Sequence, residues 1–183
     1  VIVDHGNAPD VSAMLRALQA DRRDVRVVTV EAQESLPAAA NAGAENALGR
    51  WLLFLDPDVV LQRGAVARMA AAGGGAQTPW IVGGRMTDMS GRDRSEAVIG
   101  PLSAWSALTL ALGPQRAPRR GAVNVSAVSD AFMLLPRHDF DALGGFAPDY
   151  SGDYADLDFC SRVAAPPMAA IADCNWPAPS LTH

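Results

Sequence analysis

The chain has 183 residues, of which 49% are apolar and 19% charged, and a formal net charge of −5. That balance fits one soluble globular domain with a substantial core and excludes a disordered tail. The acidic balance excludes a nucleic-acid binder, which needs a basic stripe to displace counterions from phosphates. Cys160 and Cys174 are too few and too irregularly spaced for a disulfide framework or a zinc site, and read as reduced, packed thiols in a cytoplasmic protein.

Apolar runs of strand length alternate with helix-like segments, the signature of an α/β domain with a mainly parallel sheet buried on both faces. In chain order, strands are predicted at residues 1–4, 25–30, 51–56, 80–86, 127–135 and 168–172. A first helix is predicted from Asp10, a cap for exposed backbone N–H groups, through Val11, Met14, Leu15 and Leu18 at helical spacing. A second has Ser35 as its cap and runs from Pro37 to Leu48, with Pro accepted in the first turn and Gly49 as the end. A third covers residues 65–72 and stops at Gly73-Gly74-Gly75. Residues 87–94 are turn-rich, and residues 115–121 read as a loop.

The stretch at residues 99–113 is interrupted by Pro101, Ser103, Ser106 and Thr109, and falls short of the roughly 20 residues needed to span a bilayer. Arg116, Arg119 and Arg120 form either a solvated loop or a peripheral contact with an anionic acceptor or membrane lipid. The chain opens on Val1 inside a predicted strand, with no leader pattern before it. The expectation is therefore a single domain over residues 1–183 that begins earlier in the natural protein and continues beyond His183 or ends there.

Asp-x-Asp occurs at Asp56/Asp58, Asp139/Asp141 and Asp156/Asp158, so context must separate the copies. Asp56 and Asp58 follow the apolar run Trp51-Leu52-Leu53-Phe54-Leu55, at the C-terminal strand end where open α/β sheets gather ligands. Pro57 stiffens the turn between them. Two carboxylates held close repel one another unless a cation lies beside them, and hard divalent ions prefer such oxygen ligands. The alternative is a simple Asp-Pro turn. Asp139 reads as a helix cap with Gly144 as the stop, and His138 as a surface residue. Asp156 and Asp158 fall at the start of a helix, where residues two apart point to different sides and do not chelate one ion. One of them can face a pocket as a base while the other offsets the helix N-terminus or pairs with Arg162.

Several motifs then match in order and spacing. They are Val1-Ile-Val-Asp4-His-Gly-Asn; Asn41-Ala-Gly43 followed by Ala47, Gly49 and Asp56-Pro57-Asp58; and Val82-Gly83-Gly84-Arg85-Met86 with Asp88 and Gly91. Further along come Ser129-Asp130-Ala131-Phe132-Met133-Leu134, Leu143-Gly144-Gly145-Phe146, the acidic helix from Asp156, and Pro177 through His183. Together they resemble family 2 glycosyltransferases, especially bacterial rhamnosyltransferase-like members.

The resemblance implies a GT-A fold, a Rossmann-like three-layer sandwich, and an inverting reaction. It also implies a nucleotide-diphosphate sugar donor such as a UDP- or dTDP-sugar, a saccharide or lipid-linked acceptor, and Mg or Mn. Carried over by position, Asp4 holds the nucleotide base, Asn41 lies in the nucleotide-sugar segment and Asp56 serves the ribose or the metal's water shell. Asp58 and His183 ligate the metal, and Asp156 is the general base; Asp130, which has no counterpart in the family pattern, would lie near the donor sugar and either repel the diphosphate or recognise a sugar hydroxyl. A cytoplasmic place follows, either free or at the inner face of the membrane, in polysaccharide or cell-wall synthesis.

The chain departs from the family pattern in four places. His5 stands where Asn is usual, Ala38 where a basic residue is common, Asp130 where Gly is common and Ala155 where Glu precedes the base. The family's first strand, which lies inside the sheet, has no counterpart here, so a central strand should be absent. A non-catalytic sugar-nucleotide or carbohydrate-binding module of the same fold is the alternative function. A dinucleotide-dependent oxidoreductase lacks its key signal, a G-x-G-x-x-G turn after a strand.

Overall fold

A computed structural model describes residues 1–74, 79–87, 98–99, 121–125, 127–150, 154–163 and 168–172. The elements in order are β1 (Ile2–His5), α1 (Pro9–Asp21), β2 (Val27–Val30), α2 (Leu36–Asn46), β3 (Trp51–Leu55), α3 (Ala65–Gly73), β4 (Ile81–Gly84) and β5 (Val98–Ile99). They continue with β6 (Gly121–Asn124), β7 (Ala127–Val128), β8 (Phe132–Pro136), α4 (Arg137–Ala142), α5 (Ala155–Arg162) and β9 (Met168–Ala172). Cys174, the arginines at 116, 119 and 120, and the predicted turn and loop beyond Thr87 lie outside the described residues, apart from Gly121.

The five-stranded sheet has the order β3-β8-β4-β9-β6. β8 pairs antiparallel with both β3 and β4, β4 pairs parallel with β9, and β6 pairs antiparallel with β9. β3, β4 and β9 therefore share one direction, while β8 and β6 run against it. The expected α/β architecture is present, with β8 threaded between two strands of the parallel set.

β1 and β2 form a separate parallel pair, in register from Ile2 opposite Val27 to His5 opposite Val30. Among the described residues β3 is an edge of its sheet and does not pair with β1. Among the described residues a break thus separates the two sheets. Helix α2 spans it. Gly43 lies so close to β1 that a Cβ there would come 2.7 Å from Val3 Cγ2, while Ala44 joins the core of the larger sheet.

Successive side chains of a strand point to opposite faces, so a strand buried on both sides feeds two cores. Leu52 and Phe54 of β3, with Met133 and Leu135 of β8, face a core completed by Phe140, Phe146 and Phe159. Trp51 and Leu53, with Phe132 and Leu134, face a second core completed by Met69 of α3 and Trp80. Helical layers thus cover both faces of the sheet.

Local chemistry explains where the elements begin and end. α1 starts one residue before the predicted cap: Ala8 is the N-cap, Pro9 occupies the first turn and Asp10 lies inside the helix. Proline suits that position because its missing N–H would have no partner, and Asp10 there complements the positive helix end. The stripe on α1 is only partly covered, with Val11 and Leu15 half-buried and Met14 and Leu18 exposed. Ser35 caps α2 as expected, its hydroxyl accepting from Ala38 N at 3.2 Å.

α2 ends at Asn46 rather than Leu48. The Arg137 guanidinium supplies donors to the carbonyls of Ala44 at 2.8 Å, Gly49 at 3.0 Å and Ala47, satisfying the acceptors that a helix end leaves open. The strand predicted at residues 127–135 divides into β7 and β8. The Ser129 hydroxyl accepts from Ala131 N at 3.3 Å and the Ser129 carbonyl from Phe132 N at 3.3 Å, closing a turn that competes with the ladder. Asp139 is not the cap of α4. Pro136 is, and Asp139 lies buried in the first turn, 3.0 Å from Nε2 of the exposed His138. Gly144, at φ +78°, follows the helix end as its stop.

Candidate active site

Asp4 stands in β1, one residue before its C-terminal end, and is 2% exposed. Its Oδ1 accepts from Asn7 Nδ2 at 2.8 Å across the Gly6 turn, while Oδ2 is buried without a well-formed hydrogen bond. The Ser12 hydroxyl, then the Asn7 amide, and more weakly the Arg16 charge hold the carboxyl below its ordinary range. This group is an ionised acceptor presented at the end of the sheet. In the sequence Asn7 appears only as the end of the motif around Asp4, and no local pattern marks Ser12. The neighbouring His5 ring meets the Glu34 carbonyl at 3.0 Å, tying together the loops that follow β1 and β2.

Asp56, Pro57 and Asp58 follow β3 directly and are exposed. Partial desolvation of the Asp56 carboxyl, then the Asp58 charge, push it above the ordinary aspartate range. The turn closes through Val59 N to Asp56 O at 3.1 Å.

Asp130 sits half-buried in the turn between β7 and β8, and Asp156 in the first turn of α5. Burial, then the charge of Asp156, then that of Asp56 push the Asp130 carboxyl up to about 6. Carboxylates from three separate segments thus share one electrostatic neighbourhood. Their elements meet by construction. Leu55 at the end of β3 pairs with Phe132 at the start of β8, and the Cys160 thiol of α5 lies 3.7 Å from the Val128 carbonyl of β7. Burial pushes that thiol up to about 11, so Cys160 is an inert packed group, as its sequence context suggests.

In α5, Asp156 accepts from Leu157 N at 2.7 Å, and Asp158 pairs with Arg162 one turn later at 2.9 Å. The two carboxylates therefore have different partners. Asn41 lies within α2, and both atoms of its amide engage the backbone of Phe146, at 2.8 and 2.9 Å. The structure gives this side chain a clamping contact rather than an open face. His183 lies outside the described residues.

Among the described residues no group of three or more His, Cys, Asp or Glu side chains converges to hold a metal ion. The donor chemistry at the end of β3 nevertheless suits a hard divalent cation: two carboxylates share one rigid turn, and the charge of one already raises the other. Mg or Mn would relieve that repulsion, held by Asp58 with Asp56 beside it.

Among solved structures, the chain is similar to GalNAc-T7 determined with UDP, GalNAc and Mn2+. The TM-score is 0.63 at 14% identity, over 93% of this chain and 35% of that one. It is also similar to the mannosyltransferase PcManGT from Pyrobaculum calidifontis in complex with GDP-Man and Mn2+, with a TM-score of 0.58 at 17% identity, over 93% of this chain and 44% of that one. The chain thus spans less than half the length of either protein, and the likeness shows the GT-A fold. No curated protein sequence matches. The sequence profile of Glycosyl transferase family 2 matches residues 1–143, which is most of the chain, and the chain belongs to that family.

Proposed function

We propose that the full-length protein is an inverting glycosyltransferase, carrying a sugar from a UDP- or dTDP-linked donor to a hydroxyl of a saccharide or lipid-linked acceptor. The observation that carries this reading is the hydrogen bond from Asp56 N to Ala131 O at 3.0 Å, which holds the Asp56 end of β3 beside the Asp130 turn, with α5 and its Asp156 packed on β7 next to it. Membership in a glycosyltransferase family and the nucleotides named in the two similar structures support the donor class.

In this reading Asp4, ionised and buried, accepts from the nucleotide base, and Asp56 from the ribose or the metal's water shell. Asp58 and His183 ligate Mn or Mg, the ion named in both similar structures being Mn2+. When bound, such an ion neutralises the charge that builds on the departing diphosphate. Asp130 accepts from a hydroxyl of the donor sugar. Asp156 takes the proton from the acceptor hydroxyl as its oxygen bonds to the anomeric carbon and the bond to the diphosphate breaks, which inverts that carbon. The bacterial rhamnosyltransferase-like motifs point to polysaccharide or cell-wall synthesis at the inner face of the membrane, by peripheral contact. Among the described residues no helix is long and apolar enough to cross a membrane.

A second reading, a non-catalytic sugar-nucleotide-binding module, is favoured by two observations. Ala155, buried at 3% exposure, places no carboxyl before Asp156, and the first turn of α2 carries no basic side chain at Ala38. Incubating the full-length protein with a panel of UDP- and dTDP-sugars and Mn separates the two. Mn-dependent hydrolysis or transfer supports the enzyme, whereas tight nucleotide-sugar binding without turnover supports the module.

A further inference from the structure

Two side chains from different helices hold one turn. The turn at residues 143–146 leads away from α4 through two consecutive glycines in the left-handed region, Gly144 at φ +78° and Gly145 at φ +71°. From the side of α2, Asn41 Nδ2 donates to Phe146 O at 2.8 Å and Asn41 Oδ1 accepts from Phe146 N at 2.9 Å. From the side of α5, the Arg162 guanidinium donates to Leu143 O at 2.6 Å and to Gly145 O at 2.8 Å. The fit is close, since a Cβ on Gly145 would come 2.8 Å from Asn41 Oδ1.

The same turn anchors an aromatic cluster. Phe146 is 0% exposed, and its ring lies 5.1 Å from Phe159 of α5 and 4.9 Å from Phe54 of β3. Phe54 stands two residues before Asp56, and Phe159 three residues after Asp156. The turn therefore lies between the strand that delivers one set of carboxylates and the helix that delivers the other. A planar guanidinium reaches two carbonyls at once, which a lysine ammonium on a flexible stem does less well.

We infer that Asn41 and Arg162 are positioning residues: by gripping the 143–146 turn from both sides they fix α5, and with it the Asp156 carboxylate, against the Asp56-Pro57-Asp58 end of β3. The inference rests on the proposed role of Asp156 as the base. Neither side chain needs to touch substrate. Misplacing a reacting group by about 1 Å costs on the order of 100-fold in rate, so a small tilt of α5 is enough to register in turnover.

The test uses the full-length protein with Arg162→Lys and Asn41→Ala, each alone and combined with Asp156→Asn. Sugar transfer and Mn-dependent UDP affinity are measured on variants that melt cooperatively. The expected result is a kcat lowered ~10- to 100-fold in each single variant, with UDP affinity and donor KM unchanged and no further loss when either is added to Asp156→Asn. Full kcat in both folded variants, or a fall in UDP affinity parallel to kcat, overturns the positioning role and leaves the enzyme reading standing. A wild-type protein without transfer overturns both.

Discussion

The backbone N–H of Asp56 donates to the carbonyl of Ala131 at 3.0 Å, stitching the end of β3 to the turn before β8 where each delivers a carboxylate. Asp130 pays electrostatically for that proximity. Its carboxyl is pushed up to about 6 by burial and by the charges of Asp156 and Asp56, from an ordinary value of 3.8.

An acid whose folded pKa exceeds its unfolded one binds more protons in the fold between those two values. Its effect on stability is therefore unfavourable as pH rises through the window from 3.8 to about 6, and is fully felt above it. Asp130→Asn should stabilise the protein above that window, by about 1 kcal/mol once solvent screening of this half-buried group is allowed for. Below it the two proteins should melt alike. Thermal melts across the window, without added divalent ion, check this, and equal stability at neutral pH would contradict it.

The proposed role of Asp58 is to hold a divalent ion, and an ion shared with a diphosphate couples the two binding events. Calorimetric titration of UDP with and without Mn should show Mn tightening UDP, and Asp58→Ala should remove most of that coupling, ~10-fold or more in affinity. UDP affinity indifferent to Mn in the wild type would end the ion's role.

Gly84 needs its missing side chain for packing rather than for backbone freedom, since a Cβ there would overlap the Phe132 ring in the core against α3. Gly84→Ala should destabilise by about 1–3 kcal/mol through overpacking. Denaturant unfolding measures it, and an unchanged midpoint would mean the ring has room to move.

What the sequence made legible was local. The Ser35 cap, the pairing of Asp158 with Arg162 and the placement of Asp156 in a first helical turn depend on residues within one or two turns of each other. The continuous apolar runs of β3 and β8 were readable as strands buried on both faces. What escaped was set from far along the chain. α2 stops early because Arg137, 93 positions beyond Ala44, takes up its carbonyls, and the contact of Asn41 is with a backbone 105 positions away. The break at Ser129 is different in kind: one hydroxyl bonding two residues ahead outweighed strong strand propensity on both sides.

Asp56-Pro57-Asp58 carries the commonest of the site's patterns, and only its neighbours distinguish it from the copy at Asp139 and Asp141. That copy sits in a short helix where Asp139 meets His138, while the first copy shares its field with Asp130 and Asp156. The spatial company of a carboxylate, which no single motif encodes, is what supports the proposed site over a simple turn.

The proposed role of Asp156 as the base is tested by sugar transfer in the Asp156→Asn variant of the full-length protein, read beside its affinity for UDP in the presence of Mn. Nucleotide affinity should be retained while transfer falls by ~100- to 10,000-fold, the usual worth of a general base. Transfer at the wild-type rate by this variant would contradict that role.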